Sequence, residues 1–127
     1  MAASNCSARA WVTTGQAMRL AQDIGIHRNL SHQSLSFEVS EVRKRTWWCI
    51  YMLDKLLSVS LGRPCGVEDD NIDAQLPTKE PQPPFPLMPG FIALVALSRT
   101  SGRIARTVTR LQQARHQGDV EEEENLK

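Results

Sequence analysis

A chain of 127 residues, 41% apolar and 23% charged, has room for one small domain or part of a larger one, and its net charge of +1 gives no overall pull toward nucleic acid or anionic membrane. Its three cysteines, Cys6, Cys49 and Cys65, are too few and too widely spaced for a disulfide framework or a clustered zinc motif, which suggests a reducing compartment. No apolar run approaches the roughly 20 residues that span a bilayer, and "MAASNCSARA" has no basic start leading into an apolar core, so neither a membrane span nor a secretory signal is expected.

The first predicted helix runs from about Arg9 to Ile24. Ala10, Ala17, Leu20, Ala21 and Ile24 form its apolar stripe, widened by Trp11 and Met18. Gly15 lies one turn from Trp11 and costs helix stability, which predicts a close packing contact there. Gly25 followed by Ile26 is a left-handed stop with its apolar contact. The stretch "HRNLSHQSLS" reads as a loop.

A second helix is expected over about 38–61, capped by Ser36 or Ser40, with Glu38 and Glu41 suiting its dipole. Val42, Cys49, Ile50, Leu53, Leu56 and Leu57 give the apolar stripe, and Gly62 and Pro64 end the helix. The acidic, proline-dense stretch after Pro64 reads as an extended connector pinned by Ile72, Leu76 and Phe85. A third helix follows over about 91–114. Residues 1–116 thus form a partial, all-α bundle of three main helices, and residues 117–127 an acidic disordered tail.

The run "WWCIYML" is apolar all round and belongs inside a bundle, even with Arg43, Lys44 and Arg45 before it; Glu41 with Arg45 is an available ion pair. Asp54 shares the Trp47 and Tyr51 face and needs a partner if buried, for which Arg19, Arg63 and Ser58 are candidates. Asp69, Asn71, Asp73 and Glu80 fit an EF-hand register, but Ala74 stands where the turn needs glycine and Pro77 interrupts the loop. His27, His32 and His116 form no paired ligands with the cysteines. His27 follows a helix terminus and suits its last carbonyls. Arg99, Arg103, Arg106 and Arg110 make a cationic stripe opposite Leu94, Leu97, Ser101, Ile104, Ala105, Val108 and Leu111. It reads as a solvated outer face, with phosphate, a calmodulin-like partner, an anionic membrane or the "EEEE" run as alternative contacts. No nucleophile, acid–base pair or phosphate loop appears.

The run "RKRTWWCIYMLDKLLSVSLGRP" followed by "DDNIDAQLPT" resembles the regulatory middle homology region of fungal zinc binuclear-cluster transcription factors. "AWVTTGQAMRLAQDIGIHRNLS" and "LVALSRTSGRIARTVTRLQ" resemble the helices that precede and follow that block. Arg43, Arg45, Trp47, Trp48, Tyr51, Asp54, Arg63 and Pro64 match the motif. The resemblance implies a nuclear, non-enzymatic regulator of transcription in which those residues are scaffold. Its two zinc ions and DNA contacts belong to a six-cysteine cluster that this chain does not contain; no metal ligand or base contact is carried over. Homodimers, full-length relatives or a small-molecule effector are the expected partners, and a stand-alone interaction module or effector sensor is the alternative. Since the family region is longer, three helices would be an incomplete bundle, exposing an apolar patch around Trp47 and Trp48 and self-associating or staying molten.

Overall fold

In the computed structural model, which describes residues 2–78 and 87–126, three long helices carry the chain, with no strand among the described residues. They are α1 (Ala2–Asp23), α2 (Phe37–Leu61) and α3 (Met88–Asn125), with short 3-10 turns at Asn29–His32 and Asp69–Asn71. The all-α class and the three helices agree with the sequence reading. Phe85 as a pin and Glu80 as a calcium ligand lie outside the described residues, as does the run "PQPPFP".

The helix ends follow from local chemistry. Ser36 Oγ accepts the Val39 N–H at the start of α2. Gly25 and Gly62 adopt left-handed φ values of 76° and 63°, which a side chain would strain. The Ile26 N–H then reaches the Ala21 carbonyl and the Arg63 N–H the Ser58 carbonyl, each closing a Schellman turn.

α2 is the central element. Trp11 on α1 meets Ser58, and Arg43 meets the Ile24 carbonyl, so α1 runs antiparallel to α2. On the other side Met52 and Leu53 share a groove with Leu94, while Gly62 lies beside Thr109, so α3 runs parallel to α2. That parallel course requires a long return, which the connector supplies. The core is Met18, Ala21, Ile26, Trp47, Trp48, Tyr51, Val67, Ala74 and Val95, with Ile72 and Leu76 packed against it as anticipated.

Several expectations are overturned. Trp47 and Trp48 are 0% and 1% exposed, so the apolar patch is not theirs. Leu20 of α1, Ile24 just beyond its end, and Val42, Cys49, Leu53 and Leu56 of α2 face outward. The α2 face turned inward instead holds Glu41, Lys44, Trp47, Trp48, Tyr51, Asp54, Lys55 and Ser58. A helix apolar nearly all round has no periodicity to choose its inner face. The backbone of the connector makes that choice, because its buried polar groups need polar partners. Gly15 has open space where a Cβ would stand, so nothing packs closely there. Residues 117–125 continue α3 rather than forming a disordered tail; Gln117 and the four glutamates 121–124 are good helix formers and outweigh Gly118, Asp119 and Val120.

Candidate functional site

Four of the eight family-motif residues, Trp48, Tyr51, Asp54 and Pro64, meet where α2 receives the connector. Glu41, Lys44, Trp48, Tyr51, Lys55 and Ser58 step by three and four along α2, one continuous face. Nearly every one meets the returning chain. The Ser58 hydroxyl donates to the Pro64 carbonyl at 3.1 Å, Lys55 Nζ to the Val67 carbonyl at 2.9 Å and Trp48 Nε1 to the Gln75 carbonyl at 3.0 Å. Both oxygens of Asp54 accept the Gly66 N–H at 3.0 Å. Glu41 accepts the Thr78 N–H at 2.9 Å and its hydroxyl at 3.2 Å. The irregular segment 63–78 thus finds partners on one helix face for backbone groups that secondary structure leaves unpaired.

Asp54 therefore takes Gly66, not Arg19, Arg63 or Ser58, as its partner. A side chain at Gly66 would meet Asp54 Oδ1 and Met18 Cγ, both at 3.1 Å, so the close approach depends on glycine. Burial pushes the Asp54 carboxyl above the usual range, opposed by the Gly66 N–H and the Lys55 charge. Glu41 pairs with Lys44 at 3.4 Å. Burial also raises the Tyr51 phenol, helped by Asp69, whose Oδ1 accepts its proton at 2.6 Å. The His27 ring lies tilted against Trp47 at 5.5 Å between centroids, and burial foremost lowers its pKa; its backbone carbonyl, not its ring, takes the Asp73 and Ala74 N–H groups.

The cationic stripe of α3 faces the same place. The Arg99 guanidinium lies 5.4 Å from the Trp48 ring, Arg103 is 3.9 Å from Asp69, and Arg106 pairs with Glu68. Lys55 adds a second cation 3.8 Å from Asp69. Of the expected solvated stripe, Arg99 thus lies on Trp48 and Arg103 and Arg106 meet the acidic turn, with Arg103 still largely exposed, as Arg110 is. Asp69 and Asp73, weighed for calcium, are occupied otherwise, Asp73 by Arg28 and the Asn29 N–H. Of the remaining motif residues, Arg43 caps the α1 end, Arg45 is half-buried, and Arg63 covers the Trp11 ring at 4.9 Å. Sequence reasoning missed Lys44, Lys55 and the role of Asp69, and assigned Ser58 to Asp54 where it meets Pro64 and Trp11. The three–four spacing of Lys44, Lys55 and Ser58 with Tyr51 was the available signal.

With the charges turned in, the apolar side chains turn out. Between Thr46 and Leu61 the only charged residues are Asp54 and Lys55, both buried. Between Met88 and Ala114 they are the four arginines alone. Leu53, Leu56, Leu94 and Leu97 line an open groove of about 550 Å³ between α2 and α3, with Cys49 at its edge. Cys6 and Cys49 are exposed on different helices, Cys65 is half-buried, and no group of three metal-ligating side chains gathers among the described residues. These donors do not fit a binuclear zinc cluster. No helix among the described residues is long and apolar enough to cross a membrane.

The model of the fungal specific transcription factor domain matches residues 2–125. An uncharacterized transcriptional regulatory protein of Schizosaccharomyces pombe is 39% identical over 67 residues, 53% of this chain and 9% of that protein. Transcription factor FBD3 of Fusarium pseudograminearum is 42% identical over 66 residues, 52% of this chain and 9% of that protein. The ABC-transporter-regulating transcription factor of Aspergillus oryzae is 35% identical over 96 residues, 74% of this chain and 10% of that protein. The chain spans about a tenth of the length of the curated relatives it matches. No solved structure matches it.

Proposed function

The chain belongs to the fungal specific transcription factor domain family and is a stretch of the regulatory region of a fungal transcription factor; from that premise we propose that it is a nuclear, non-catalytic element acting through protein contacts, reaching DNA only through a zinc cluster outside these 127 residues. One observation carries this reading. Trp47, Trp48, Tyr51 and Asp54 are buried, and Arg99, Arg103 and Arg106 are engaged with Trp48, Asp69 and Glu68, while the outward side chains of α2 between Thr46 and Leu61 carry no charge and those of α3 include exposed Leu94, Leu97, Ile104, Val108 and Leu111. A nucleic-acid face needs the reverse, cations free to meet phosphates. Apolar surface of that extent is the mark of a protein contact, with a second copy or a full-length relative as candidate partners. The motif residues are scaffold in this reading: they hold the connector so that α2 and α3 can present that surface.

Joined to an unrelated DNA-binding domain, the chain is expected to change reporter output while leaving the affinity for a duplex with a single site, and its salt dependence, unchanged. A steep new salt dependence, or no change in output, would contradict the proposal.

Effector sensing is favoured by a separate hollow of about 590 Å³ beside α1, lined by Trp11, Gly15, Leu20, Asp54, Pro64 and Gly66. Its size suits a small apolar ligand with one polar group for Asp54.

A further inference from the structure

The outward face of α3 has a regular order that its inner face does not explain. Leu94, Leu97, Ser101, Ile104, Val108 and Leu111 alternate in steps of three and four, the spacing of a coiled-coil seam. The five apolar members are 47–66% exposed. Beside them stand Ala93, Ser98, Thr100, Ala105, Thr107 and Ala114, all small and uncharged, which lets a facing helix approach closely. Resting on the reading that the chain works through protein contacts, we propose that two copies pair through this seam, α3 antiparallel to α3 about a two-fold axis near Ile104, each lodged in the groove between α2 and α3 of the other.

Three observations select a second copy. First, charge: a seam without ions meets itself without like-charge cost, whereas an acidic or basic partner helix would find nothing to pair with. Second, direction. Asp119 and Glu121 to Glu124 crowd one end of α3. Parallel pairing would press those five acids against their copies, while antiparallel pairing about Ile104 sets the two acidic ends on the order of 50 Å apart, at 1.5 Å per residue. Third, area: the outward leucines, Ile104 and Val108 of the seam and groove leave on the order of the 800 Å² that one partner of a stable interface buries. The axis brings Leu97 of one copy opposite Leu111 of the other and Ile104 beside itself, an isologous contact that closes as a dimer. Ser101, the one polar seam position, restricts the register.

Sedimentation of the whole chain from sub-micromolar to high micromolar concentration is expected to move from the 14.2 kDa monomer toward twice that mass. Ile104→Glu, at a side chain 60% exposed and therefore harmless to the fold, is expected to weaken pairing by about a hundredfold. Direction is read by oxidation of a chain with serine at Cys6, Cys49 and Cys65. There Ile104→Cys is expected to cross-link to itself, and Leu94→Cys only to Ala114→Cys. A monomer at all concentrations would overturn the dimer, yet leave the reporter experiment above free to succeed. Undiminished pairing of Ile104→Glu would overturn the seam, and self-cross-linking of Leu94→Cys the antiparallel direction.

Discussion

Asp54 is 3% exposed and holds one backbone N–H with both oxygens. Its raised pKa fixes a sign. A folded value above the unfolded one, near 3.9, means that the native state holds the extra proton, so this group's stabilisation is full below the unfolded value and is lost as pH rises through the folded one. Urea unfolding of the wild type against Asp54→Asn is therefore expected to show wild type losing ground as pH rises from about 4 to about 7; a gain would contradict the burial-driven shift. Asp54→Ala, which leaves the Gly66 N–H unmet, is expected to cost about 1–3 kcal/mol. That Asp54 is buried was readable from its place beside Trp47 and Tyr51. Its partner was not, because a backbone N–H twelve residues away leaves no trace in residue type.

Helix existence was legible in α1 and α2, as were both ends of α2 and the stop of α1, since Ser36, Gly25 and Gly62 act through local geometry; α1 begins at Ala2, not near Arg9 as expected. The faces were not. In α3 the periodicity separates arginines from leucines but carries no sign, and the sign comes from Glu68 and Asp69 on the connector. The length of α3 was underestimated because its last turns bury nothing and rest on propensity alone. Docking of α3 on an acidic turn makes it sensitive to charge. In Glu68→Gln with Asp69→Asn, amide exchange along the first half of α3 is expected to quicken roughly tenfold, with the packed turns of α1 unchanged. Equal loosening of α1 and α3 would mean that the turn supports the whole fold rather than one helix.

As a whole, the molecule spends its polar side chains on its own connector and leaves its leucines for something else. Family membership and an all-α fold were readable from the "RKRTWW" block and its neighbours. The outward face was foreseen as an apolar patch but placed at the tryptophans, which are the core. The inversion of faces is the claim on which both the regulatory reading and the dimer depend. Its direct test is the unfolding free energy of Leu97→Gln and Arg99→Gln, each made in the Ile104→Glu background so that pairing does not contribute. We expect Leu97→Gln to stay within about 0.5 kcal/mol of its parent and Arg99→Gln, which uncovers Trp48, to lose about 1 kcal/mol. A Leu97→Gln loss of about 2 kcal/mol or more with Arg99→Gln silent would put the leucines inside and contradict the fold described above.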